Sequence, residues 1–515
     1  MSMPVDPPRR PRFLEWAGGL AGFFVVAGIL LRAHGYLANR PLVWDECNIA
    51  LNIASRSWGE LLTPLDYNQA APPLFLLATK LAVELLGNSE YALRLLPFLA
   101  GLVSLPLFLA LARRCLAPRA VWPAIALLAL PHALLFYADE SKQYSGDLAV
   151  AVGMTVLALR AHHDGLRAGS AIVFALAGAV ALWLSHPAAF VLGGAAFVLA
   201  RQYTKRRDRN SLRWLALTGG SWVASFFGLY FVSVRELVNR DAMQEFWSAG
   251  SRLPGSPPGG AFLTLFPRSF DELAWLPRVF FEFFSTPCGL RFAGLAALFA
   301  LLGTYSLFKT KRHVLALLVL PAILALLASA MKVYPFRWRL ILFLVPAAFL
   351  LVAEGLEIIR AQGGRIGALT SLLGVSLLLL QPVILAATHI ASSPLGRATR
   401  TVLLEFQRQR LEGDLLYVYY GAERPFRYYA PRLGLSRGDV VFGTEPRHTP
   451  QELEPDLEKL RGHQRVWLFF AQATRAHEPF ILGALDRQGR RLATYRGPGE
   501  SLHLYDMSSA PTPPR

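Results

Sequence analysis

Apolar runs long enough to cross a bilayer recur through the first 390 residues, each closed by a short polar or basic segment. A hydrocarbon core of about 30 Å takes roughly 20 apolar residues of helix, so the pattern predicts about eleven spans. They fall near 13–36, 92–112, 119–137, 145–161, 168–185, 187–203, 212–234, 288–308, 312–331, 338–359 and 366–390. Two further stretches carry helical spacing but are too short to span: Glu46–Leu62 and Pro73–Leu86. Both read as helices lying in the membrane interface, as does the aromatic stretch Phe270–Phe284.

After about residue 391 the pattern changes. Asp414–Tyr420 and Arg465–Phe470 are short β-rich runs, Pro450–Arg461 between them is helical in pattern, and Ser501–Tyr505 makes a last strand. This predicts a small soluble α/β domain over 391–510, a membrane domain over 1–390 and a disordered tail over 511–515. The C-terminal domain has no glycine-rich phosphate loop.

Composition agrees with a polytopic α-helical membrane protein: 54% of the 515 residues are hydrophobic and 17% charged. The net charge of +17 would suggest nucleic acid in a soluble chain. Here the basic residues sit between the spans, so membrane topology accounts for most of the excess and no nucleic-acid partner is expected. One set of connections carries Arg113, Arg114 and Arg119; Arg160 and Arg167; Lys205–Arg209 with Arg213; Lys309–Arg312; and Arg360 with Arg365. With Arg9, Arg10 and Arg12 before an uncleaved signal anchor, these belong on the cytoplasmic side.

The alternate connections then face outward: a first loop over about 37–91, Asp139–Tyr144, Ser185–Pro187, a second loop over about 235–287, Lys332–Arg337 and the C-terminal domain. The candidate chemistry gathers on that side. Asp45 and Glu46 follow the first span; one would take a proton while the other orients a substrate or binds a cation. The bland alternative is that Asp45 caps the helix that follows. Asp139, Glu140, Lys142 and Tyr144 form a polar turn suited to a hydroxyl-rich or phosphate ligand. Lys332, Tyr334, Arg337 and Arg339 break the positive-inside trend and suit an anionic headgroup, the arginines gripping phosphate oxygens as a fork. Arg94, where the second span starts, would pair with an acid of the first loop.

These segments together resemble the GT-C polytopic glycosyltransferases, the bacterial relatives of protein O-mannosyltransferases and lipid A aminoarabinose transferases. The resemblance rests on Asp45-Glu46 after the first span, Pro72-Pro73-Leu74 opening an interfacial helix, and Arg94–Pro97 entering the second span. Glu140, Lys142 and Tyr144 follow, then Tyr334, Arg337 and Arg339 entering a late span that contains Pro346. The chain departs from many relatives in having Ala70-Ala71 before the prolines, and Lys142 where an arginine is frequent.

The resemblance implies a sugar donor on a polyprenyl phosphate and an acceptor hydroxyl on a lipid, glycan or protein. Asp45 would be the base of an inverting transfer, and Lys332, Tyr334, Arg337 and Arg339 would bind the donor phosphate. Arg94, Asp139, Glu140, Lys142 and Tyr144 would line the substrate site. The implied location is the bacterial inner membrane, with the N-terminus cytoplasmic and the C-terminal domain outside. A secondary transporter should instead show ionisable residues at mid-span, and the spans here are nearly free of acids. A polysaccharide ligase or polymerase of similar architecture is the other alternative. The sequence has no cofactor motif; a divalent cation at Glu46 or His186 is left open. The cysteines Cys47, Cys115 and Cys288 lack zinc-ligand spacing, and a Cys47–Cys288 disulfide would need both on the outer side.

Overall fold

A backbone in lipid has to satisfy its own hydrogen bonds, and the long apolar runs do so as helices. The computed structural model describes residues 12–238, 240–248, 259–391, 399–435, 440–446, 449–473, 476–497 and 499–508. Arg9, Arg10, part of the loop expected over 235–287 and the tail from Pro511 lie outside the described residues.

The helices run α1 Arg12–Ala38, α2 Trp44–Ser55, α3 Pro73–Leu86, α4 Glu90–Cys115, α5 Pro118–Ala129, α6 His132–Ala138 and α7 Tyr144–Asp164. Next come α8 Ala168–Leu184, α9 Ala188–Arg206 and α10 Arg209–Leu229, which a π turn joins to α11 Arg235–Val238. The segment between α11 and the next long helix carries α12 Asp241–Trp247, α13 Phe270–Leu273 and α14 Trp275–Ser285. Then follow α15 Ala293–Thr310, α16 Arg312–Ala330, α17 Val345–Gln362 and α18 Gly364–Ala391. A helix stands at each place where a span is expected, and the stretches too short to span form α2, α3, α13 and α14. Among the described residues, seven helices are long and apolar enough to cross a membrane, or eight if the bent pair α5–α6 is one span. The expected count is higher because α8 is short, while α7 and α9 carry polar and charged residues such as Asp147, Arg160, Arg201 and Lys205.

Contacts divide the chain into two units: Met1–Leu37, Trp58–Gly87 and Ala92–Ala391 in one, Ala38–Ser57, Asn88–Tyr91 and Ser392–Arg515 in the other. The first holds the membrane helices. Its outward-facing apolar side chains, Phe23, Leu30, Leu176, Phe197 and Leu217 among them, are exposed, as a lipid-covered surface requires. Inside, α15 and α17 cross almost backbone to backbone. A Cβ on Gly303 would stand 1.9 Å from the Leu351 carbonyl oxygen, and one on Gly355 1.9 Å from that of Phe299. Small residues permit such packing where no hydrophobic drive between helices exists.

The 60° break between α5 and α6 falls at Pro131, and the buried Arg32 meets the carbonyls left open there. Its guanidinium donates to the carbonyls of Leu128 at 3.1 Å and Ala129 at 3.2 Å, the open C-terminal end of α5. A cation in this position is held by backbone carbonyls and the negative end of a helix dipole.

The second unit contains α2 and a five-stranded sheet of β1 Leu415–Val418, β2 Val440–Phe442, β3 Arg465–Ala471, β4 Arg490–Gly497 and β5 Glu500–Asp506. The order is β2-β1-β3-β5-β4. β1 pairs in parallel with β2 and β3, while β5 runs antiparallel to β3 and β4. α19 Thr399–Gln409, α20 Glu423–Tyr429, α21 Glu454–Glu458 and α22 His477–Leu485 complete it. Buried carboxylates pin the strands: Asp414 accepts from Trp467 Nε1 at 2.7 Å and Arg465 Nε at 2.8 Å, and Asp456 from Tyr417 Oη at 2.8 Å.

Candidate active site

Within the second unit, α2 packs on α20 and carries both acids of the first loop in its first turn. They are positioned differently. Val43, not Asp45, is the N-cap; Asp45 is the second helical residue and Glu46 the third. Glu46 reaches back to accept the Val43 amide at 3.0 Å and an ion pair from Arg40 at 2.8 Å, and its side chain is fully buried. Capping thus falls to Glu46, which leaves Asp45 half-buried at the positive end of the helix dipole. The residues leading into α2 are clamped as well. Tyr429 on α20 accepts the Leu42 amide at 2.8 Å and donates to Glu90 Oε1 at 3.0 Å. Arg400 reaches the Asn39 carbonyl at 3.4 Å and Glu90 at 3.7 Å.

In the first unit the polar turn between α6 and α7 is almost wholly buried: Asp139 is 6% exposed, Glu140 2% and Lys142 3%. The turn is tight, with the Lys142 amide 2.6 Å from the Glu140 carbonyl. Ser141 Oγ donates to the Leu93 carbonyl at 3.1 Å, one residue before the buried Arg94 of α4. Lys142 Nζ donates to Gln69 Oε1 at 2.6 Å, and Arg240 to the Gln69 carbonyl at 3.1 Å. Gln69, just before the Pro-Pro-Leu helix, therefore joins the turn at Lys142 to the segment at Arg240, a link that sequence reasoning missed; a lone glutamine carries no signal of it.

The basic segment 332–339 meets this turn. The Arg339 guanidinium lies over the Tyr144 ring, 5.5 Å from its centroid, and Tyr144 in turn sits edge-on to Tyr137 at 5.5 Å. Tyr334 Oη donates to the Leu340 carbonyl at 2.6 Å. Burial first, then the nearby Asp147 and Tyr144, hold its phenol well above the usual value, so it stays protonated. Lys332 is exposed, with a left-handed backbone at φ +57°, and Trp338 has φ +49°. Non-glycine residues in that region are strained and persist where the surroundings fix them.

Arg337 departs from the expectation of an open phosphate fork. Its Nε and Nη2 donate to Glu282 Oε2 on α14 at 3.1 and 2.7 Å, and Nη1 to the Gly260 carbonyl at 2.6 Å. Trp338 Nε1 takes the other oxygen of Glu282 at 2.5 Å. The side chain is 4% exposed and its charge is met by a carboxylate. Arg337 therefore anchors the segment, while Lys332, Tyr334 and Arg339 flank it. The sequence showed α14 as an aromatic helix; that its one acid at 282 faces Arg337 needed the tertiary fold.

A divalent cation at Glu46 or at His186 finds no ready set of protein ligands among the described residues. Glu46 is engaged as above, and the half-buried His186 sits in the turn between α8 and α9, where burial pulls its imidazole down to about 4. Among the described residues no group of three or more His, Cys, Asp or Glu is arranged to hold a metal ion. Cys47, Cys115 and Cys288 are buried free thiols, so the disulfide is not formed.

No protein-family model and no curated protein matches the chain. Solved structures do. ArnT from Cupriavidus metallidurans in the apo state is 15% identical with a TM-score of 0.53, over 95% of this chain and 98% of that one. The same enzyme bound to undecaprenyl phosphate is 16% identical with a TM-score of 0.54, over 94% and 98%. The archaeal oligosaccharyltransferase AglB from Archaeoglobus fulgidus, in complex with an inhibitory peptide and a dolichol-phosphate, is 12% identical with a TM-score of 0.51, over 97% and 75%. The chain is thus a polytopic membrane protein with the GT-C fold of these enzymes.

Proposed function

We propose that the chain is a membrane glycosyltransferase that moves a sugar from a polyprenyl-phosphate donor to an acceptor hydroxyl outside the cytoplasm. Asp45 accepts the proton of the attacking hydroxyl. The oxygen forms its bond to the anomeric carbon from the face opposite the leaving group, the bond from that carbon to the phosphate oxygen breaks, and polyprenyl phosphate departs with the electron pair. Lys332 and Arg339 meet the charge that develops on the phosphate, and Tyr334, its hydroxyl turned to the Leu340 carbonyl, holds the backbone between them. Arg337, paired with Glu282, holds these groups in register. Arg94, Asp139, Glu140, Lys142 and Tyr144 shape the substrate side of the polar turn.

The observation that carries the reading is the division of labour on α2. Glu46 is spent on the cap and on Arg40, while Asp45, the residue before it, does not cap the helix. The fold supports it, since structures sharing that fold hold undecaprenyl phosphate and dolichol-phosphate. A lipid-borne donor also accounts for acids and bases at the bilayer surface in a chain with no nucleotide-phosphate loop. The test is transfer of radiolabel from polyprenyl-phosphate sugars in membranes that contain the chain, against membranes that lack it. Chain-dependent loss of label from the lipid pool into acceptor material supports the reading; equal turnover in both membranes contradicts it.

A further inference from the structure

α2 carries a second set of polar residues that the reaction above does not use. Asn48 and Asn52 follow Asp45 by three and seven residues, so at 3.6 residues per turn the three side chains stack on one face of the helix. Glu46 points away from that face, to Arg40 and the cap. Both asparagines are fully buried, at 0% exposure. Asn52 is accounted for, because its Nδ2 donates to the Asn48 carbonyl at 2.7 Å. The Asn48 carboxamide is not: neither its Nδ2 nor its Oδ1 has a hydrogen-bond partner among the described residues.

Buried polar groups are nearly always paired, and one left open costs its full desolvation. The neighbouring buried positions, Ile49 and Ile53, show that the helix accepts apolar residues on its covered sides. An amide at 48 therefore calls for a ligand that both donates and accepts. A carboxamide offers two N–H donors and one carbonyl acceptor and carries no charge. A phosphate oxygen would leave the amide carbonyl unpaired, and phosphate sites favour Arg or Lys. A sugar hydroxyl satisfies both ends. In the transfer proposed above, the anomeric carbon comes within bonding distance of the oxygen that Asp45 deprotonates. The ring hydroxyls next to that carbon then lie beside the base, one helical turn from Asn48.

We infer that Asn48 is a donor-sugar binding residue that reads a ring hydroxyl next to the carbon under attack. The inference rests on the glycosyl-transfer reading of Asp45. Loss of one such contact to a ring hydroxyl lowers sugar-dependent affinity about tenfold.

The purified full chain in detergent is titrated with three probes: bare decaprenyl phosphate, decaprenyl-phosphate hexose and decaprenyl-phosphate pentose, each followed by thermal unfolding. The excess stabilisation by a sugar-bearing lipid over the bare lipid isolates the sugar contact. Asn48→Leu keeps the branching at the γ carbon and removes the amide, and its midpoint without lipid is recorded as the control for folding. Asn48→Ser, smaller and polar, serves as the second variant. The expected result is an excess for at least one sugar lipid in the wild type that is lost in Asn48→Leu, with the shift by bare lipid unchanged. An excess equal in wild type and variant overturns the assignment, as does a wild type that responds to bare lipid but shows no excess for either sugar. A wild type that does not respond to bare lipid overturns the glycosyl-transfer reading and this inference with it.

Discussion

Tyr429 and Leu42 stand 387 residues apart in the chain and are joined by a 2.8 Å hydrogen bond from the Leu42 amide to the tyrosine hydroxyl. The same hydroxyl donates to Glu90. Burial, reinforced by Glu90, pushes the phenol well above its ordinary value, so the donor is retained at any physiological pH. The C-terminal segment therefore fixes the entry to α2, and with it the direction of Asp45. Tyr429→Phe removes both bonds and leaves a buried amide and a carboxylate short of a partner, a loss of about 1–3 kcal/mol. Thermal unfolding should show that loss, with kcat falling more than KM for the donor rises. An unchanged kcat would mean that the clamp serves stability alone.

Glu46 and Asp45 should separate cleanly. Glu46→Ala takes the acceptor from the Val43 amide and the partner from Arg40, and capping losses alone run to about 1 kcal/mol. Its main phenotype is a lower unfolding midpoint and reduced yield of folded protein. Asp45→Asn is near-isosteric and leaves the Glu46 cap and the Arg40–Glu46 pair in place, so it should unfold like the wild type. Equal destabilisation by the two variants would remove the distinction drawn between them.

Arg337 and Glu282 should behave as one unit. Because the Arg337 fork is filled by Glu282 and by the Gly260 carbonyl, Arg337→Ala and Glu282→Ala each free the segment 332–339. The double variant should be little worse than either single one, a coupling of about 0.5–3 kcal/mol in a double-mutant cycle on stability. Arg339→Ala should instead raise KM for the polyprenyl donor and leave the midpoint near the wild type. Additive losses for the Arg337–Glu282 pair would contradict their coupling.

His186 supplies a pH dependence of stability. Burial lowers its pKa from the ordinary 6.5 to about 4 in the fold. Between these values the unfolded chain binds a proton that the folded chain does not, so stability rises with pH across that window. Below about pH 4 both states are protonated and the contribution levels off. His186→Asn should flatten the midpoint-versus-pH curve between pH 4 and 6.5. Parallel curves for variant and wild type would exclude His186 as the source.

What was legible in the sequence follows from the physics of each element. Membrane length and basic punctuation mark the helices, and α3 emerges from the Pro-Pro-Leu entry with the limits its apolar run gives. In the C-terminal domain β1, β3 and β5 are buried and rich in apolar or aromatic residues, so they announce themselves. β4 does not: its Arg490-Arg491 start and its half-exposed alternation hide an edge strand in polar composition. β2 is only three residues long. At the site, the residue types were legible while their partners were not. Glu282 for Arg337, Gln69 for Lys142 and Tyr429 for Leu42 are long-range pairs, and no local spacing encodes them.

The account depends most on Asp45 as the base. The direct measurement is single-turnover transfer from radiolabelled polyprenyl-phosphate sugar by purified Asp45→Asn, with its unfolding midpoint and its binding of bare polyprenyl phosphate recorded alongside. General-base catalysis contributes typically 10²–10⁴-fold, so the rate should fall by at least about a hundredfold while folding and lipid binding stay as in the wild type. A variant that folds, binds the lipid and transfers sugar at the wild-type rate would contradict the assignment.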